Sequence, residues 1–187
     1  LLPQNDYMYC QDYWKKETLK DIFPSSGEMP RFYHCPPISD YFKNCFGIYA
    51  VSDVNVVVEN NSLHVLEGHK HSFPKDIHGN VCVMDLLEAG TNCLEYKIPE
   101  EVFLSDTENV FLEILPHPLS NYQNIISSKL NIYDWFRSTH ISYYHDSVSE
   151  PFFLNIKKGE PIAMYRFITP NDTPVKLVEL DFSKVSK

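Results

Sequence analysis

Short runs in which apolar and polar residues alternate recur through most of the chain, about every ten residues. The alternation is clearest over residues 46–50, 54–58 and 138–144, where branched or aromatic residues take every second position. A period of two places successive side chains on opposite faces of a β-strand. Many short strands joined by polar turns predict an all-β, mainly antiparallel chain with a β-sandwich or jelly-roll-like fold.

The strand predictions can be placed along the chain. Polar residues at 59–62 indicate a turn, so the strands on either side of it are predicted to form a β-hairpin. No helical segments alternate with the strands, which argues against a parallel α/β sheet. The predicted strands cover residues 46–50, 54–58, 63–66, 81–87, 92–98, 110–115, 138–144, 152–156, 162–168 and 175–182.

The N-terminal part of the chain has a different character. Residues 1–34 are polar and aromatic, contain three prolines, and favour a short helix only over 12–22. We interpret 1–34 as an irregular or short-helical arm that packs on a single β-sandwich domain formed by 35–187. A helical turn is expected to start at Pro36 or Pro37, because proline suits the first helical position.

The charge balance limits the partners of the chain. Acidic residues outnumber basic ones by 25 to 16, and the formal net charge is −9. A negative field repels phosphate backbones, so we predict no binding to nucleic acid or to an anionic membrane. No apolar run reaches the roughly 18 residues that a membrane-spanning helix needs. The five cysteines are not closely spaced, which predicts reduced thiols in a cytosolic setting rather than a disulfide framework.

Residues 67–79, EGHKHSFPKDIHG, hold three of the eight histidines. His69 and His71 have the H-x-H spacing with which jelly-roll metalloenzymes bind a divalent metal such as Fe or Zn. Glu67 and His78 are close enough in sequence to serve as further ligands. One hypothesis is therefore a small metal-dependent enzyme that uses His69 and His71.

The composition around that histidine pair favours a different interpretation. Gly68 and Pro74 bracket the pair, and polar residues between them are typical of a loop. Proline cannot donate a hydrogen bond within a central sheet ladder, so a strand lining a barrel is disfavoured here. We therefore interpret the segment as a solvated loop and expect no cofactor.

The densest aromatic stretch surrounds Trp135. The favoured interpretation places Trp135 in the core, with Arg137 paired to a carboxylate such as Asp134 or Glu113. One alternative is a small-molecule pocket near Trp135, and another is a recognition surface, because Trp, Tyr and Arg dominate binding hot spots. That surface would contain Trp135, Arg137, Tyr133 and Tyr144.

Several segments share an order and spacing with known sequences. These are Cys35-Pro36 followed by Asp40 and Asn44, then 113–116 (EILP), 130–137 (LNIYDWFR) and 156–162 (IKKGEPI). Together they resemble a family of small proteins of unknown function encoded by tailed phages of marine bacteria and cyanobacteria, with relatives in bacteria. The resemblance implies a compact, mainly β phage protein in the cytoplasm of the infected host cell or in the virion.

The predicted function follows from the absence of a strong catalytic motif and from that resemblance. We expect a non-enzymatic protein that acts through protein–protein contacts in virion assembly or host takeover. Its partner would be a phage or host protein, or a second copy in a homo-oligomer.

Overall fold

The computed structural model describes residues 14–16, 35–50, 53–59, 62–65, 84–86, 93–134, 138–145 and 150–177. Within them lie eleven strands, an α-helix and a 3₁₀ turn. The first strands are β1 (Trp14–Lys16), β2 (Cys45–Tyr49), β3 (Val54–Glu59), β4 (Ser62–Val65), β5 (Met84–Leu86) and β6 (Cys93–Val102). The others are β7 (Phe111–Pro116), β8 (Ser128–Asn131), β9 (Ser138–Tyr144), β10 (Phe152–Ile156) and β11 (Pro161–Ile168). The helix α1 spans Pro36–Tyr41 and the 3₁₀ turn spans Pro170–Asp172.

The strands form three antiparallel sheets, and the predicted all-β fold is confirmed. Their strand orders are β1-β2-β11-β7-β8, β10-β3-β4 and β5-β6-β9. The pairing is nested, since β2 pairs with β11, β3 with β10, β6 with β9, and β7 with β8.

A single apolar core contains residues from all three sheets. On β7 the alternation is visible directly, because Leu112 and Ile114 are buried while their neighbours are half-buried. Burial of each such side chain stabilises the fold by roughly 1.5–3 kcal/mol relative to exposure. Between β11 and β9, the Tyr165 hydroxyl lies 3.1 Å from Thr139 Oγ1 in a buried hydrogen bond. The five-stranded sheet therefore packs against the strands of a second layer.

The helix α1 begins at Pro36, as predicted, and is held on the five-stranded sheet by Arg166. The Arg166 guanidinium lies 4.3 Å from the Tyr41 ring centroid and 3.4 Å from Glu113 Oε2. Cys45 Sγ also contacts the Tyr41 carbonyl oxygen at 3.2 Å. Burial is the main cause of a raised pKa of Tyr41. Of the described cysteines, Cys45 is buried, and Cys35 and Cys93 are half-buried.

Two sequence predictions about element type are wrong where the structure describes the residues. Residues Trp14–Lys16, inside the stretch expected to favour a helix, instead form β1, with Lys15 opposite Gly47 of β2. The arm thus pairs with the edge of β2 that faces away from β11, and backbone pairing with an open edge overrides weak helix propensity.

The second error concerns the predicted strand over 175–182, because residues 175–177 are not in a strand. The buried side chain of Asn44 instead forms hydrogen bonds with backbone groups of this segment. Asn44 Nδ2 donates to the Thr173 carbonyl at 3.0 Å, and the Val175 N–H donates to Asn44 Oδ1 at 2.9 Å. One side chain thereby anchors the segment after β11 without a neighbouring strand.

The turn between β10 and β11 explains the IKKGEPI segment structurally. Lys158 N–H donates to Asp53 Oδ1 at 2.8 Å, and Lys157 N–H donates to Glu160 Oε2 at 2.9 Å. Gly159 has φ +81°, a left-handed conformation that favours glycine. Its N–H donates to the Ala50 carbonyl at 2.8 Å, which ties the turn to the end of β2. The sequence pattern around this turn is therefore accounted for by backbone geometry.

Among the residues that the structure describes, no helix has the length and apolar character needed to cross a membrane.

Candidate functional site

Most residues of the predicted sites fall outside the part of the chain that the structure describes. Those residues are Glu67, His69, His71, His78, Trp135 and Arg137. The metal site and the role of Trp135 stay predictions. Within the described residues, no cluster of three or more His, Cys, Asp or Glu side chains could hold a metal ion.

The two described tyrosines of the predicted recognition surface, Tyr133 and Tyr144, are 46% and 43% exposed. Tyr133 follows Ile132, whose N–H donates to the Val110 carbonyl just before β7 begins. Tyr144 donates its N–H to the Asn124 carbonyl, in the loop that follows β7. Six residues of β7 span roughly 20 Å, so these tyrosines lie towards opposite ends of that strand.

The carboxylates suggested as partners of Arg137 make other contacts. Asp134 Oδ2 accepts a hydrogen bond from Asn131 Nδ2 at 2.7 Å. Glu113 is paired with Arg166 at 3.4 Å on the five-stranded sheet.

A different site is formed by the loop between β7 and β8, residues 117–127, called the β7–β8 loop below. Hydrogen bonds within this loop fix its backbone. The His117 carbonyl accepts from Ser120 N–H and from Gln123 Nε2, each at 2.9 Å. His117 Nδ1 accepts from Leu119 N–H at 3.1 Å, so the buried imidazole carries its proton on Nε2.

The β7–β8 loop also joins the two three-stranded sheets. On one side, the Tyr122 hydroxyl accepts from Asn155 N–H of β10 at 2.8 Å and donates to the Asn155 carbonyl. On the other, Ile126 N–H donates to the Ser142 carbonyl of β9 at 2.9 Å, while Ile125 lies opposite Tyr143. The loop therefore bridges β10 and β9, each of which is an outer strand of one of the two small sheets.

The inner side of the β7–β8 loop is anchored in the core. Ile125 is buried, and the Tyr122 and Tyr143 rings meet edge to face with centroids 6.4 Å apart. Burial raises the pKa of Tyr143 well above its usual value of about 10, and the nearby Tyr96 and Tyr122 hydroxyls add to the shift. The Tyr143 hydroxyl has no hydrogen-bond partner among the described residues.

The outer side of the same region exposes apolar side chains. Of six large apolar residues that are clearly exposed among the described residues, four lie on the loop or on the strands it joins. Ile126 and Tyr144 are diagonal neighbours across the loop–β9 pairing, roughly 7–8 Å apart, which is within side-chain reach. We call this set the loop surface: Leu119, Ile126, Tyr144 and Phe153.

The loop surface is also free of formal charge at its centre. The fifteen residues 114–128 contain no Asp, Glu, Lys or Arg, which is the longest such run in the chain. Two side-chain pairs lie on or next to the neighbouring strands. His140 Nδ1 lies 3.4 Å from Glu95 Oε2, and Lys157 Nζ lies 3.7 Å from Asp53 Oδ2. The surface thus offers apolar side chains and neutral hydrogen-bonding groups.

Sequence reasoning identified Tyr144 but did not identify the loop. Because Ile125 and Ile126 are adjacent, their spacing does not predict which of them faces the core. Only the pairing with β9 places one side chain inward and the other outward. The uncharged run 114–128 was the one available signal in a chain of net charge −9.

Comparisons of the chain with protein-family models, with curated proteins and with solved structures find no match. The function is therefore argued from the geometry of the loop surface and from the sequence.

Proposed function

We propose that this protein is a non-enzymatic, phage-type β-sandwich that acts through protein–protein contacts, and that the loop surface makes the contact. The observation that carries the proposal is the set of exposed apolar side chains on a hydrogen-bonded loop and on the two strands that the loop contacts. The partner is a phage or host protein, and the role is in virion assembly or host takeover. The proposed location is accordingly the cytoplasm of the infected host cell or the virion.

Two physical properties of the loop surface support this function. The centres of protein interfaces are depleted of charged residues, as residues 114–128 are. A loop whose backbone is already ordered loses little conformational entropy on binding. The hydrogen bonds to His117 and the attachment of Tyr122 to β10 provide that order.

The proposed origin has separate support. The phage-type assignment rests on the resemblance of the segments at 35–44, 113–116, 130–137 and 156–162. In the described structure the last of these segments forms the turn between β10 and β11.

The experiment is affinity capture from infected and uninfected host lysates with the full chain as bait. The test variant is Ile126→Glu, which places a charge at the centre of the loop surface. The matched control is Leu104→Glu, because Leu104 is 41% exposed, similar to Ile126 at 43%, but lies outside the loop surface. We expect Ile126→Glu to weaken capture about tenfold or more, the effect of roughly 1.4 kcal/mol, while the control captures like the wild type.

Both variants are checked by circular dichroism and thermal unfolding, so that a loss of capture can be distinguished from a loss of folded structure. A partner retained equally by the wild type and by Ile126→Glu would show that the loop surface is not the contact. No specific partner from either lysate would overturn the proposed function.

A further inference from the structure

Backbone hydrogen bonds show which groups of β2 face the neighbouring strand β1. Asn44 and Ala50 flank β2, and both bond on its β11 side. The Asn44 carbonyl accepts from Phe167 N–H of β11, and at the other end Ala50 N–H donates to the Glu160 carbonyl. Successive residues of an antiparallel strand point their backbone groups to alternate sides. The even-numbered residues of β2 therefore bond towards β11, and Gly47 points its N–H and C=O towards β1.

The pairing of β1 with β2 is short. Only Trp14–Lys16 form β1, and Lys15 lies opposite Gly47. Within the described residues this is the one hydrogen-bonded pair between the two strands, because Trp14 and Lys16 point their backbone groups away from β2. Gly47 has no side chain, so the pair lacks the cross-strand side-chain contact that stabilises neighbouring strands. The described pairing therefore holds β1 weakly.

The path of the chain weakens this pairing further. Residues 17–44 lie between β1 and β2 and include α1, so the two strands are not joined by a tight turn. The entropic cost of closing a loop rises with its length. The pairing of β1 must offset that cost, which a strand of a tight hairpin largely avoids.

The strand beneath β1 is of the kind that adds further strands when its edge is open. Cys45 and Phe46 are adjacent and both buried, so β2 is covered on both faces. Residues 44–52 carry no formal charge. An apolar, uncharged strand with open backbone groups pairs readily with a strand of another molecule. Two of the three residues of β1 are lysines, and a short strand with lysines is a common means of protecting a sheet edge.

We propose that β1 is a releasable strap over the edge of β2. It opens while the rest of the five-stranded sheet stays paired, and while closed it prevents strands of other molecules from adding to β2. The strap shares no residue with the loop surface, so its test is independent of the proposed function.

Amide hydrogen exchange of the full chain tests the opening directly. The Gly47 amide is protected by β1, whereas the amides of Phe46 and Ile48 are protected by β11. After correction for intrinsic rates, we expect the wild-type Gly47 amide to exchange at least about tenfold faster than the other two, because opening of β1 exposes it alone. Equal rates for the three amides would show that β1 leaves only when the sheet unfolds, and would overturn the inference.

Two proline variants separate the bond to β2 from the other properties of β1. Lys15→Pro removes the N–H that faces the Gly47 carbonyl, whereas Lys16→Pro loses the same charge but removes an N–H that points away from β2. We expect Lys15→Pro to raise the Gly47 exchange rate at least about tenfold over the wild type. In sedimentation velocity it should form larger species as its concentration rises. Lys16→Pro should match the wild type in both measurements.

The amides of Phe46 and Ile48 show whether Lys15→Pro is folded, and if it is not, the wild-type exchange rates still decide. A folded Lys15→Pro variant whose Gly47 amide exchanges as in the wild type would overturn the strap, as would one that associates no more than the wild type. Association of Lys16→Pro equal to that of Lys15→Pro would trace the effect to the lost charge and would also overturn it.

Discussion

The Tyr143 hydroxyl is buried where the described residues offer it no hydrogen bond. The Tyr143 side chain as a whole is 1% exposed. A buried hydroxyl without a partner costs free energy relative to its hydrated state in the unfolded chain. The ring, by contrast, packs against Tyr122 and helps to hold the β7–β8 loop on the core.

We predict that Tyr143→Phe keeps or raises the stability of the fold near pH 7, by up to about 1 kcal/mol, because it removes the unpaired hydroxyl and keeps the ring. Burial raises the folded-state pKa of Tyr143, so the unfolded chain loses this proton first as pH rises. The stability linked to it is thus present below about pH 10 and lost above, towards the folded-state pKa. Urea unfolding at neutral and alkaline pH should show a smaller alkaline loss for the variant than for the wild type.

The exposed Tyr144 provides the matched control for this prediction. Tyr144→Phe should leave the stability at neutral pH nearly unchanged, because the Tyr144 side chain is 43% exposed. A Tyr143→Phe variant that is clearly destabilised at neutral pH would show that the hydroxyl is hydrogen-bonded after all.

Asn44 is a second residue whose role depends on its amide rather than on its size. We predict that Asn44→Ala lowers the free energy of unfolding by about 1–3 kcal/mol, because the backbone groups of Thr173 and Val175 lose their partner. Urea denaturation measures the loss, and Asn155→Ala, at an exposed asparagine, is the control. Equal stability of both variants would mean that the segment after β11 is held by other contacts.

Among the elements, the turn between β10 and β11 shows how local backbone geometry sets strand pairing. Its hydrogen bonds reach back to Asp53 and Ala50, so it fixes where β11 begins relative to β2 and β3. The β7–β8 loop acts in a similar way, because its hydrogen bonds reach β9 and β10, which belong to two different sheets.

We predict that Gly159→Ala destabilises the fold by about 1–2 kcal/mol, the cost of a left-handed conformation for a residue with a Cβ atom. No heavy atom lies within 4 Å of the added Cβ, so the cost comes from backbone strain and not from a clash. Gly159→Asn should lose less, because asparagine tolerates this conformation better. The measurement is thermal or urea unfolding, and an alanine variant as stable as the wild type would contradict the prediction.

At the scale of the molecule, the described strands pair in a nested order around a shared apolar core. The first and last strands of that nest, β2 and β11, lie side by side at the centre of the five-stranded sheet. Folding must therefore bring together segments that are far apart in sequence, and such topologies fold slowly. The charge of −9 acts on the molecule as a whole by opposing association through every face that carries it.

A bound metal would change the thermal stability of the whole molecule. We predict that a chelator leaves the Tm of the wild type unchanged, as expected if residues 67–79 form a solvated loop. A metal held by His69 and His71 would instead stabilise the fold by about 2.7 kcal/mol at a hundredfold excess over Kd. The double variant His69→Ala, His71→Ala is the control. A chelator-induced fall in Tm that occurs in the wild type and not in the double variant would support the metal-dependent enzyme.

The amino-acid sequence by itself determined the fold class and several element positions. The period-two pattern placed β9 and β10 at their observed bounds, and Pro36 placed the start of α1, because side-chain alternation and the fixed φ of proline are local properties. Only the tertiary structure decided that residues 14–16 pair as a strand and that Val175 binds a distant side chain. It also decided that Ile125 is buried while Ile126 is exposed, since that depends on which strand the loop meets. A hydrogen bond between residues far apart in sequence produces no periodic pattern in the sequence around either residue.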